Sequence, residues 1–206
     1  MKYTKSNHIL NKNKMIVNVF NILFTGLILL NSCSEKVYIP KPSTYLRVEM
    51  PKHEYQLYDN DCPYTFQISK SYSVKDVDEN GAKTCHKDID LGKLNGVVNF
   101  SYIEMKEPLS RYVNYSNDKV DEHKIKATEI VDERIINSEK RVFGTFFELK
   151  GDVATPFQFY LTDSTNRFVS GVVYFNCVPK YDSLKPSIEY LKEDLLHLVN
   201  TFEWKK

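Results

Sequence analysis

Residues 167–204, RFVSGVVYFNCVPKYDSLKPSIEYLKEDLLHLVNTFEW, contain both of the patterns from which the fold is inferred. Arg167–Cys177 is rich in β-branched and aromatic residues, which is typical of a strand. In the second half of the segment, apolar residues recur every three or four positions and predict an amphipathic helix. The apolar stripe consists of Ile188, Leu191, Leu195, Leu198, Val199 and Phe202. Pro186 suits the first turn of this helix, and Asp182 and Ser183 are candidates for its cap.

Shorter patterns upstream predict further strands with short links between them. These segments are Tyr64–Ile68, Val97–Ile103, Glu129–Ile136, Arg141–Lys150 and Val153–Leu161. Thr162–Asn166, rich in residues that hydrogen-bond locally, is predicted to join the last of them to Arg167–Cys177 as a hairpin turn. Val74–Lys83 is polar and contains the turn signal Asn80-Gly81.

A second helix is predicted after Pro108, before the last four strands. Its apolar face would consist of Leu109, Tyr112, Val113, Ser116, Val120 and His123. Sequential strands with one internal and one terminal helix predict an α+β fold, with a mainly antiparallel β-sheet flanked by two helices. The order of elements is similar, at fold level only, to the compact sandwich of the PsbP and Mog1 group.

The N-terminus has the pattern of a lipoprotein signal peptide. Residues 1–14 carry four lysines and no acid, and Met15–Leu30 is an apolar run with few polar interruptions. Leu30-Asn31-Ser32-Cys33 resembles the bacterial lipobox, in which the cysteine is lipidated and becomes the first residue of the mature protein. We therefore predict a signal peptide at 1–32 and a lipid on Cys33. The alternative is an uncleaved anchor, although 16 residues is slightly short for a membrane span.

The mature chain is predicted to have two parts. Residues 33–60 form a tether and an extended arm, whose first half is stiffened by Pro40 and Pro42. Apolar residues are too frequent between Tyr45 and Tyr58 for a free linker, so this stretch is expected to pack along the domain. Residues 61–206 are predicted to form a single globular α+β domain.

The charge of the mature chain limits the choice of partners. Removing the four signal lysines from the 28 basic residues leaves 24, against 27 acidic residues, which gives a net charge of −3. This balance argues against nucleic acid and against a polybasic membrane-binding patch. The membrane is instead expected to be reached through the lipid on Cys33.

Three cysteines remain after Cys33, which allows one disulfide and one free thiol in an oxidising envelope. Cys62 opens one strand-like run and Cys85 precedes another, so we expect these two to pair and Cys177 to be free. A zinc site is the alternative, but no Cys-x-x-Cys is present.

The strongest metal-site candidate is His86, Asp88 and Asp90. On a strand these three side chains would share one face, where an imidazole and two carboxylates could hold a divalent ion. The simpler interpretation, which we favour, is a solvated strand face or edge. No metal or cofactor is predicted.

A catalytic site is not predicted either. Ser164, Asp163 and His197 supply the residue types of a hydrolase triad, but no Gly-x-Ser-x-Gly occurs and Ser164 falls in an ordinary hairpin turn. His197 is expected to lie at the surface or boundary of the last helix.

A set of short motifs resembles the gliding motility lipoprotein D (GldD) family of the Bacteroidota over Cys33 to Lys206. The motifs are Tyr38-x-Pro40-Lys41-Pro42, Tyr45-x-Arg47, Pro51-x-x-x-Tyr55, Asp61-Cys62-Pro63-Tyr64-x-Phe66, Phe159-x-Leu161-Thr162-Asp163-Ser164, Gly171-x-x-Tyr174-Phe175, Asp182-Ser183-Leu184-x-Pro186, Asp194-x-x-His197-Leu198 and Thr201-Phe202-x-Trp204. Each motif alone is weakly specific, whereas their order after a lipobox is fairly specific.

The resemblance implies a lipid-anchored envelope protein that is needed for gliding and linked to the type IX secretion machinery. It implies protein partners in that apparatus, no catalytic activity, no cofactor and no small-molecule substrate. Because Ser34-Glu35-Lys36 does not resemble an acidic surface-export signal, a periplasm-facing position is expected. The alternative is a periplasmic small-ligand or metal-binding module or an enzyme, with the His86, Asp88 and Asp90 face as its site.

Overall fold

The computed structural model describes residues 50–205 and, N-terminal to them, Asn18. The predicted signal peptide, the lipidation site at Cys33 and the first part of the tether lie outside the described residues. In chain order the elements are β1 (Tyr55–Tyr58), β2 (Tyr64–Ser69), β3 (Ser73–Glu79), β4 (Ala82–Asp90), β5 (Gly96–Glu104), α1 (Leu109–Asp121), β6 (Ala127–Asn137), β7 (Val142–Gly151), β8 (Phe157–Thr162), β9 (Arg167–Phe175), α2 (Tyr181–Thr201) and β10 (Glu203–Trp204).

The strands form two antiparallel sheets. The larger has seven strands in the order β3-β4-β5-β9-β8-β7-β6, and the smaller has three in the order β1-β2-β10. Every pairing between neighbouring strands in both sheets is antiparallel. The predicted α+β class, with a mainly antiparallel sheet and two helices, is therefore confirmed.

The main core lies between the inner face of the seven-stranded sheet and the layer formed by β2 and α2. Phe66 of β2 and Phe100 of β5 face each other across it, with ring centroids 5.4 Å apart. The α2 stripe supplies Leu191 and Leu195, which are at most 2 % exposed. Burying a side chain of this size contributes about 1.5–3 kcal/mol, so each of these leucines stabilises the fold.

Helix α1 packs on the outer face of the same sheet. Val120 joins Phe147, Leu149 and Val153 in a second, smaller cluster. Tyr112 of α1 and Phe168 of β9 are in ring contact at 5.6 Å. The helix begins after Pro108, as predicted.

Strand β3 was not predicted, because its sequence is polar. It is an edge strand whose side chains are exposed or half-buried throughout. Such a strand does not need apolar residues at every second position. Its pairing with β4 brings Asp76 to Lys87, whose Nζ lies 2.7 Å from Oδ1. Asn80-Gly81 does form the turn between the two strands, and both residues have positive φ, as tight hairpins require.

The predicted start of the last helix was wrong. Helix α2 begins at Tyr181, which places Pro186 inside the helix rather than in its first turn, and Lys180 at the cap makes no side-chain hydrogen bond. Asp152 supplies the cap instead, because its Oδ1 accepts a 2.8 Å hydrogen bond from the Tyr181 N–H. The acceptor comes from the loop after β7, so it could not be found next to the helix in the sequence.

The described part of the arm is extended and belongs to the smaller sheet. Tyr55–Tyr58 pairs with β2 over four residue pairs, from Tyr55 with Ser69 to Tyr58 with Phe66. Strand β1 is therefore an edge strand of the smaller sheet, so this part of the arm packs on the domain.

Candidate functional site

His53 connects the arm to helix α2. Its Nδ1 lies 2.7 Å from Oδ1 of Asp194, whose side chain is only 2 % exposed. The second carboxylate oxygen of Asp194 accepts a 2.5 Å hydrogen bond from the Tyr72 hydroxyl. The His53 ring stacks on Tyr190 with centroids 4.2 Å apart. We call His53, Tyr72, Tyr190 and Asp194 the arm clamp.

The electrostatics of the arm clamp keep the neighbouring phenols protonated. Burial raises the pKa of Tyr72 well above its usual value, and its hydrogen bond to Asp194 raises it further. The pKa of Tyr55 is raised by the same two causes in the same order. The Tyr72 hydroxyl therefore acts as a donor to the Asp194 carboxylate, which satisfies an acceptor that would be costly to bury alone.

The arm clamp contains a His–Asp pair, and among residues 50–205 no hydroxyl or thiol is paired with the second ring nitrogen of His53. Nε2 of His53 lies 3.2 Å from Oε2 of Glu193, so the second ring nitrogen faces a carboxylate rather than a hydroxyl or thiol. In a catalytic triad that nitrogen would accept the proton of the nucleophile. The arrangement instead fixes the arm against α2.

Two of the candidate triad residues, His197 and Asp163, are engaged with separate partners. His197 stacks on Tyr55, with centroids 3.5 Å apart, and its Nε2 lies 2.8 Å from Oε1 of Gln67. Asp163 and Ser164 occupy the predicted turn between β8 and β9. There, Oδ1 of Asp163 accepts three backbone hydrogen bonds, from residues 165–167. His197 therefore packs β1 against α2.

Cys62 and Cys85 form a disulfide with their Cα atoms 5.6 Å apart, and Cys177 is an exposed free thiol. This is the pairing that the sequence favoured. Cys62 lies two residues before β2 and Cys85 lies in β4, so the bond joins the smaller sheet to the larger one. In the chain-entropy model a loop of this length contributes about 3 kcal/mol.

The proposed metal face consists of three side chains with different partners. Asp88 accepts a 2.7 Å hydrogen bond from Nδ2 of Asn99, and Asp90 pairs with Lys75 at 3.0 Å. Nε2 of His86 lies 3.5 Å from a carboxylate oxygen of Glu79. Among the residues that the structure describes, no group of three or more His, Cys, Asp or Glu is placed to hold a metal ion.

A groove of about 900 Å³ lies between the C-terminal half of α1 and the outer face of β4, β5 and β9. We call it the outer groove. Residues on its β5 and β9 floor include Asn99, Ser101 and Ser170, and Tyr115 of α1 and Tyr174 of β9 also line it. Of the lining residues, only His86 and Asp88 were predicted to belong to a site, because the others come from elements far apart in the chain.

His123, which lies shortly after the last residue of α1, also lines the outer groove. Its Nε2 lies 2.9 Å from the hydroxyl oxygen of Thr155, whose residue is 1 % exposed. Desolvation lowers the pKa of His123 below its ordinary value of 6.5, although the nearby Glu122 opposes that change. The neutral ring is therefore the form that suits this position.

These features define a disulfide-bridged α+β domain with an N-terminal arm clamped to its last helix. The chain belongs to the gliding motility lipoprotein GldD family, whose family model matches residues 35–204. This confirms the family resemblance. The family consists of motility lipoproteins, and membership indicates an association with the cell envelope. It is not an enzyme family.

Among solved structures, the chain is similar to the solution structure of cyanobacterial PsbP from Synechocystis sp. PCC 6803, at 11 % sequence identity and a TM-score of 0.42. The alignment covers 79 % of this chain and 98 % of that one. A comparison with curated proteins found no match. Within the described residues, neither helix is long and apolar enough to cross a membrane.

Proposed function

We propose that this protein is a lipid-anchored envelope protein required for gliding motility. It acts as a non-enzymatic structural or assembly component associated with the gliding and type IX secretion machinery. The observation that carries the proposal is the match of the family model to residues 35–204. Its partners are protein components of that machinery.

Anchoring is assigned to a lipid on Cys33, at the end of the lipobox-like motif. Stable anchoring by acyl chains takes more than one chain, which a lipidated N-terminal cysteine provides. The arm clamp then fixes the point at which the anchored chain joins the domain. Because His53 is held to the buried Asp194, the chain leaving the membrane would join the domain at one defined place.

A position facing the periplasm is supported by the residues after the lipobox and by the disulfide. Ser34-Glu35-Lys36 lacks the run of acidic residues that would resemble a surface-export signal. The Cys62–Cys85 bond suits an oxidising compartment outside the cytoplasm.

A non-enzymatic role is supported by the chemistry of the described side chains. The His53–Asp194 pair faces Glu193 rather than a nucleophile, and His197 is used in packing. The alternative of a periplasmic ligand-binding module, metal-binding module or enzyme has one observation in its favour, which is the concave outer groove.

The test is complementation of a deletion strain with a Cys33→Ala protein that is exported through a cleavable, non-lipid signal. The expected result is a folded, soluble protein that does not restore spreading, because its concentration beside a membrane-embedded machine falls steeply without the anchor. A Cys177→Ala protein with the native signal is the matched control and should restore spreading. Full spreading by the soluble Cys33→Ala protein would overturn the proposal.

A further inference from the structure

We propose that the outer groove binds an uncharged, hydroxyl-rich oligosaccharide. This inference concerns a site on the face of the seven-stranded sheet that carries α1. It does not depend on the anchoring of the protein or on its role in motility. The groove has a polar floor, exposed aromatic residues and charged side chains that are already paired within the protein.

The floor of the outer groove is polar although it lies on central strands. Strands β5 and β9 have neighbours on both sides in the seven-stranded sheet. Val98 and Phe100 of β5 point into the core, so the alternating Asn99 and Ser101 face outward. Ser101 is paired in register with Ser170 of β9. Half-buried polar groups are thus set side by side. The two serine hydroxyls can both donate and accept hydrogen bonds, whereas Nδ2 of Asn99 already donates to Asp88.

Two exposed tyrosines supply the apolar part of the site. Tyr115, on α1, is 65 % exposed and Tyr174, on β9, is 40 % exposed, and both line the groove. A tyrosine ring offers an apolar face together with a hydroxyl at its tip. Pyranose rings carry C–H groups on their faces and hydroxyl groups around their edges. The combination of aromatic rings with neutral hydrogen-bonding groups therefore suits a sugar chain.

The charged groups of the groove already have partners within the protein. Lys119 pairs with Glu122 at 2.7 Å, and the Asp88 carboxylate accepts a 2.7 Å hydrogen bond from Asn99. His86 lies beside Glu79. A charged ligand would have to compete with these contacts, whereas a neutral ligand can use the uncharged side chains. The volume of about 900 Å³ is within the range of roughly 300–1,000 Å³ typical of ligand sites.

The experiment is a calorimetric titration of the purified full-length chain with three hexasaccharides. Chitohexaose and cellohexaose are neutral, and hexagalacturonate is the anionic counterpart of similar length. Saturable binding of either neutral sugar, with weaker or undetectable binding of hexagalacturonate, is expected. Failure of both neutral sugars to bind, or tighter binding of the anionic one, would overturn the proposal.

Variants then test where the sugar binds. The double substitution Tyr115→Ala and Tyr174→Ala should weaken binding by about tenfold or more, which corresponds to about 1.4 kcal/mol. Ser170→Val, which replaces a floor hydroxyl by methyl groups, should also weaken binding and serves as a second variant if the double variant is unstable. Ile136→Ala is the control, since Ile136 is 71 % exposed on the opposite edge strand β6. Equal affinity in all of these proteins would place the sugar elsewhere and overturn the assignment.

Discussion

Nδ1 of His53 lies 2.7 Å from Oδ1 of Asp194, although 141 positions separate the two residues in the chain. One of them precedes the first described strand, and the other lies near the end of the last helix. This contact joins the arm directly to the C-terminal layer of the domain. It is therefore the first place to test whether the arm depends on the domain for its conformation.

His53→Ala should loosen the arm while leaving the core intact. The substitution removes both the contact to Asp194 and the stacking on Tyr190. The amides of Tyr55–Tyr58 should then exchange with solvent faster, because local opening of an edge strand needs only a few contacts to be lost. Hydrogen exchange measured by mass spectrometry reports this directly.

Glu54→Ala is the control for that experiment. Glu54 is the next residue, and its side chain makes an exposed ion pair with Lys70, a kind of pair that contributes little. Its backbone bond to Lys70 does not depend on the side chain. The role assigned to the arm clamp is contradicted if both variants exchange at the same rate as the unmodified protein in Tyr55–Tyr58.

Replacing both Cys62 and Cys85 by serine should lower the free energy of unfolding by about 2–5 kcal/mol. The bond closes a loop of sequence separation 23 and joins the two sheets. Denaturant unfolding measures the change. Cys177→Ser should leave the midpoint unchanged, since this thiol is free and exposed. An unchanged midpoint in the double variant would show that the sheets stay together without the bond.

Leu195→Ala should cost about 2–5 kcal/mol of stability, because truncating a buried leucine removes apolar contacts and leaves a cavity. Leu195 is 2 % exposed in the α2 stripe. Leu57→Ala, at a position that is 64 % exposed on β1, should have a much smaller effect. Thermal melting distinguishes the two. Similar melting temperatures for both variants would be inconsistent with a core role for the stripe.

Acidification should destabilise the domain in part through His123. Its folded-state pKa lies below the value of 6.5, because the ring is desolvated, so the unfolded chain binds the proton more readily. Stability is then fully present above about pH 7 and declines as the pH falls through about 6.5 toward the lower folded pKa.

His123→Gln removes this titration while keeping a polar side chain near Thr155. The free energy of unfolding of the variant should change less between about pH 7 and pH 5.5 than that of the unmodified protein. Identical pH dependence would argue that His123 does not contribute.

Elements with strong local periodicity could be predicted from the sequence. The α2 stripe, strand β9 and the helix after Pro108 all have apolar residues at the spacing that their burial requires. Strand β3 could not be found in this way, because its sequence is polar and all of its residues are exposed or half-buried. Its partner β4 was predicted only through its candidate site residues, which are the disulfide candidate Cys85 and the metal-site candidates His86 and Asp88.

The sites were harder to predict because they are made by contacts between distant elements. Asp194 and His197 belong to a motif of the family resemblance, but nothing near them in sequence indicates His53 as a partner. The outer groove combines Asn99, Tyr115 and Ser170, which lie on separate elements and belong to no common motif. Side chains brought together by sheet order are invisible to periodicity, which reports only on local structure.

The disulfide has a consequence for chain integrity. Asn80 and Gly81, at the exposed turn between β3 and β4, fall between Cys62 and Cys85 in the chain. A protease that cleaved the backbone at this turn would produce two fragments that remain covalently joined through their sulfur atoms. They would separate only after reduction, so a nicked molecule would keep both its membrane-proximal and its C-terminal halves.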